Sequence, residues 1–85
     1  MTRDELQKTV HQALNPFLFE PNTVENRAEM VAILEEIPGM MVEDMTTDFM
    51  VMHGAVRFDM SDGFKSYRVE FGPGCSHVKV EERRV

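Results

Sequence analysis

The hydrophobic pattern changes period once, at Pro38-Gly39, and that switch limits the folds open to the chain. Before it, apolar residues recur at helical spacing. After it, they alternate at every second position, as strands with one dry face require. Helices therefore come first and strands follow, the order of an α+β domain with its two kinds of element in separate layers. A chain of 85 residues buries only about 60–65% of its unfolded surface. That leaves room for a single domain, residues 1–85, and one core shared by both layers.

Thr2 followed by Glu5 is a capping box, in which hydroxyl and carboxylate each take one unpaired amide of the first turn. Leu6, Val10, Ala13 and Leu14 then form one apolar stripe. Pro16 disfavours helical geometry at Asn15, so the first helix is predicted over about 3–14. Phe17, Leu18 and Phe19 form a dense apolar linker expected to lock the helices together. Pro21 follows, then Asn22 or Thr23 as the cap of a second helix over about 23–37. Its inner face is predicted as Val24, Ala28, Val31, Leu34 and Ile37, widened by Met30 and Ile33, and Pro38-Gly39 ends it.

Past Gly39, strands are predicted over about 47–53, 55–60, 64–71 and 76–82. In the first, Thr47, Phe49, Val51 and His53 alternate with Asp48, Met50 and Met52. Ser61-Asp62-Gly63 is a turn, and Gly72-Pro73-Gly74 a second reversal. The expected fold is α+β, with two N-terminal helices on one face of a small, mainly antiparallel sheet of three to four strands.

Composition narrows the chemistry. A net charge of −6 argues against nucleic acid as a partner, because displacing counterions from phosphate takes a basic patch. No apolar run approaches the roughly 18 residues of a membrane span, and Met1–Glu5 carries acids where a secretion leader needs an apolar core. The single Cys75 excludes an internal disulfide framework and a four-cysteine zinc site. It is read as a surface or rim thiol. Cys75 with His77 leaves two positions of a metal site empty. No spacing joins Cys75 to His53 or His77 as nucleophile and base. Glu43, Asp44 and Asp48 lack the glycine and distal glutamate of a calcium loop. The expectation is no catalytic residue, metal or other cofactor, and no small-molecule substrate.

Two features point to assembly instead. Six of the eight methionines, Met40, Met41, Met45, Met50, Met52 and Met60, lie at the helix–sheet junction and on the early strands. They read either as plastic core filler or as an adaptable contact surface. Met50 and Met52, sharing a strand face with Asp48 away from the core, are candidate contact residues. The last strand is the other candidate: His77, Val78, Lys79, Val80, Glu81 and Glu82 close the chain's own sheet or offer free backbone groups to a neighbour. Arg83 and Arg84 make its tip basic on an acidic body.

The run Phe19-Glu20-Pro21-Asn22-Thr23, followed by Arg27 and a helix, resembles the C-terminal domain of bacteriophage contractile-tail sheath proteins. The likeness covers residues 6–37 and extends to the strands in pattern only. The resemblance implies a sheath-like structural subunit of a phage virion, in the tail, neck or baseplate. Its partners would be copies of itself or other virion proteins, and it would be found in the particle, with the host cytoplasm as the place of assembly. Phe17, Phe19, Pro21 and Asn22 would have a structural role, and residues 77–82 that of a strand exchanged between subunits. The alternative from another class is a small acidic regulator that presents Glu35–Asp48, a stretch without a base, to a basic protein.

Overall fold

Thr2 caps the first helix by accepting from the Glu5 amide at 3.2 Å, and the Glu5 carboxylate accepts in return from the Thr2 amide at 3.3 Å. Helix α1 spans Arg3–Leu14 and buries Leu6, Val10 and Leu14. A single 3₁₀ turn at Asn15–Phe17 follows and buries Phe17. Thr23, not Asn22, caps α2 (Val24–Leu34), accepting from the Asn26 amide at 3.1 Å. The computed structural model describes residues 2–83.

Helix α2 stops short of Pro38. Glu36 and Ile37 donate instead to the carbonyls of Ile33 and Leu34, in tighter turns that carry Ile37 into the core. Its dry face is also turned from the predicted one. Met30, Leu34 and Ile37 are buried, whereas Val24 and Ala28 are exposed. Val24 opens the helix at a corner where no layer covers it.

The sheet is an antiparallel meander in the order β1-β2-β3-β4. Strand β1 is Met41–Asp44, β2 Val56–Ser61, β3 Ser66–Phe71 and β4 Val78–Arg83. The predicted strand at 47–53 is overturned. Thr47 accepts from the Met50 amide at 3.3 Å and caps a short helix, α3 (Asp48–Met52). The cap, with Asp48 in the first turn, outweighs the alternating pattern. The first strand lies upstream, in a segment too short for its alternation to register.

Both helices cover one face of the sheet, α1 over β4 and α2 over β1. On that face Val56, Phe58, Met60, Tyr67, Val69, Phe71 and Val80 are buried with the helix residues in one cluster. Burying each large apolar side chain contributes about 1.5–3 kcal/mol. The opposite face is a lattice of charge. Arg57 pairs with Glu70 at 3.2 Å, and Asp59 accepts from Arg68 at 3.3 Å and Arg83 at 2.7 Å. The Val80 side chain thus lies in the core, and β4 pairs with β3 as the last strand of the chain's own sheet, one side of its backbone left unpaired. Arg84 of the basic tip lies outside the described residues.

Candidate interaction surface

Three segments meet at one end of the sheet: the linker Leu18–Asn22, the link from α3 into β2, and the β3–β4 connection. Phe19 donates its amide to the Cys75 carbonyl at 2.9 Å, and Cys75 donates to the Gly54 carbonyl at 3.0 Å. Phe19 (φ +63°), Cys75 (φ +52°), Gly54 (φ +71°) and Gly74 (φ +69°) all take left-handed backbone. For a phenylalanine that conformation costs roughly 1–2 kcal/mol. The network of distant hydrogen bonds holds it in place.

Asn22 completes the corner. Its side-chain amide donates to the carbonyls of Ala55 at 2.9 Å and Val51 at 3.4 Å. Its own carbonyl accepts from Arg27 at 2.8 Å, and the same guanidinium donates to Asp44 at 2.9 Å. Pro21 is exposed, and its carbonyl accepts from the Asn26 side chain at 2.7 Å. Phe17 and Leu18 pack into the core as expected of the linker, but Phe19 does not. Its ring is 74% exposed. The left-handed turn at Phe19 points it away from the helices it was expected to lock.

Helix α3, tied to this corner through the Val51 carbonyl, also exposes apolar side chains. Phe49 and Met52 are exposed, with the Phe49 and His53 rings 4.4 Å apart. Met50 and Met52 do not share a face. Two residues apart on a helix they point to nearly opposite sides, so Met50 is half-buried and Met52 is 82% exposed. Of the strand candidates, His77 is exposed with its ring over Gly72, where a Cβ would fall inside it. Lys79 pairs with Glu81 at 2.6 Å, and Glu82 lies 3.8 Å from Lys65.

Cys75 is buried, against expectation, and its thiol lies 3.3 Å from the Gly54 carbonyl. Burial pushes its pKa up, away from a reactive thiolate. Among the described residues, no group of three or more His, Cys, Asp or Glu side chains could hold a metal ion. No helix among them is long and apolar enough to cross a membrane.

Asp44 ties the acidic stretch to this corner. Burial works against its charge, but hydrogen bonds from Thr46 and the Arg27 guanidinium outweigh that and hold its carboxyl below the usual range. A depressed folded pKa adds stability above the unfolded value of about 3.9, and that stability is lost as pH falls through the folded value. Asp44→Asn should cost about 1 kcal/mol at neutral pH and flatten the loss of stability below about pH 4. Urea unfolding at several pH values checks both.

No family model, curated protein or solved structure matches the chain.

Proposed function

We propose that the chain is a non-enzymatic structural subunit of a phage virion, in the tail, neck or baseplate, that docks as a rigid body on its neighbours. One observation carries the reading. The residues that resemble the sheath domain, Phe19-Glu20-Pro21-Asn22, form the corner where distant segments are tied together, and they hold an aromatic ring out to solvent on strained backbone. Strain that folding retains at an exposed ring suits a ring that fills a pocket on another molecule. Helix α3, hydrogen-bonded to the same corner through Val51, exposes Phe49 and Met52 as further apolar contacts.

Two measurements test this. Washed particles of the phage that carries the gene should contain the chain at a fixed copy number by mass spectrometry, and its absence refutes the reading. Phe19→Gly should raise the stability of the isolated chain by up to about 1 kcal/mol, because glycine takes this backbone without strain, yet lower its incorporation into particles. Unchanged incorporation would remove Phe19 from the docking surface.

The acidic-regulator reading keeps one support: Glu35, Glu36, Glu43 and Asp48 are exposed. Capture of a single basic protein that weakens with salt would favour it.

A further inference from the structure

We infer that two copies of this chain pair edge to edge through β4, antiparallel, with Val80 of one opposite Val80 of the other. This goes beyond the virion reading and does not rest on it. Strand β4 ends the sheet order, so one side of its backbone faces away from the ladder.

The register says which groups face away. Gly72 donates to the His77 carbonyl at 2.9 Å, and these two residues are the next opposed pair beyond Phe71 and Val78. In an antiparallel ladder bonded and non-bonded pairs alternate. Lys79, Glu81 and Arg83 therefore bond to β3, while Val78, Val80 and Glu82 turn N–H and C=O outward.

Charge then selects among the ways β4 can meet its own copy. A two-fold axis normal to the sheet keeps α1 and α2 of both copies on one face and sets like faces opposite each other. Centred on Val80, it opposes Lys79 to Glu81 of the second copy, and Glu81 to Lys79. It also bonds Val80 to Val80 and Val78 to Glu82 through the groups that face outward. The Lys79–Glu81 pairs fall at non-bonded positions, where side chains approach most closely. Centred on Glu81, the axis would set Glu81 against Glu81 and Lys79 against Arg83. Centred on Glu82 or Lys79, it would again oppose like charges. The other edge, β1, carries Glu43 and Asp44 and no base, so it has no cation to offer an identical strand. Lys79 and Glu81 already pair within β4 at 2.6 Å. Joining two such strands builds a continuous row of alternating charge.

Sedimentation equilibrium over a concentration series should show reversible association from 9.8 kDa to twice that mass. Glu82→Pro removes an outward N–H and none of the bonds to β3. It should raise the dimer dissociation constant about tenfold or more, with the far-ultraviolet spectrum unchanged. Chains carrying Lys79→Cys and chains carrying Glu81→Cys, mixed under mild oxidation, should cross-link. Opposed non-bonded Cα atoms are about 4.5 Å apart, within disulfide reach. Either variant alone should not cross-link, because residues diagonal by two positions are about 7–8 Å apart. Should Glu82→Pro fail to fold, the cysteine pair still decides. A mass of one chain up to millimolar protein overturns the inference, as does a mixture that cross-links no better than its components.

Discussion

Replacing Phe58 with alanine is expected to cost about 3–5 kcal/mol. Phe58 is fully buried on β2, opposite Val69 on β3 and Asp44 on β1, beneath the helix layer. A domain of this size holds roughly 0.05–0.15 kcal/mol of stability per residue, so the change removes a large share of the total. The melting temperature should fall by about 12 °C or more, since 1 kcal/mol corresponds to roughly 4–8 °C in a small domain. The matched control is Phe64→Ala. Phe64 sits at the tip of the β2–β3 turn with 96% of its surface exposed, so its loss should stay within about 0.5 kcal/mol. Thermal unfolding followed by circular dichroism separates the two. Equal costs would mean that the sheet does not bury this face under the helices.

The second large effect concerns the corner. Gly54→Ala meets two obstacles. The residue has φ +71°, and a Cβ there would lie 2.8 Å from the Gly74 backbone nitrogen. Backbone cannot step aside as a flexible side chain can, so the expected cost is about 2–4 kcal/mol, above the roughly 1–2 kcal/mol of left-handed strain alone. Gly63→Ala supplies that strain by itself, because φ is +91° there and no atom lies within 4 Å of the added carbon. The difference between the two variants in urea unfolding measures how closely the α3–β2 link and the β3–β4 connection are packed. If the two cost the same, the segments do not touch as described, and the rigid display of Phe19 loses its support.

What could be read in advance divides along sequence separation. The capping box at Thr2 and Glu5 uses groups three residues apart, and nothing distant competes with it. The β2–β3 hairpin was legible for the same reason. Val56, Phe58 and Met60 alternate cleanly on one arm and Tyr67, Val69 and Phe71 on the other. The turn between them is closed locally, by Asp62 accepting from the amides of Phe64 and Lys65 at 2.8 and 2.7 Å. The segment 47–53 departs from its expected strand because two local signals conflict there. Alternation favours a strand, while Thr47 and Asp48 favour a helix start, and the second prevailed where the ladder had already been taken by β1. The shared face expected of Met50 and Met52 fails with it, because a helix turns residues two apart to nearly opposite sides.

The candidate surface was legible only in part. Phe19 and Asn22 stand out in the sequence, but nothing local says that one turns outward while the other turns in. Asn22 reaches Val51 and Ala55, and Phe19 reaches Cys75, across separations no periodicity can encode. Cys75 was expected at the rim because its glycine and proline neighbours mark a loop. It is buried because the linker and the α3–β2 link close over it.

By itself the sequence determined the order of the layers, the capping box of α1 and the face that each hairpin strand buries. These follow from the spacing of apolar residues and from hydrogen bonds within a turn or two. Only the tertiary structure decided which strand opens the sheet, which way Phe19 points, and which backbone groups of β4 are left facing outward. Each of those depends on a partner far along the chain, whose position is set by packing the whole core.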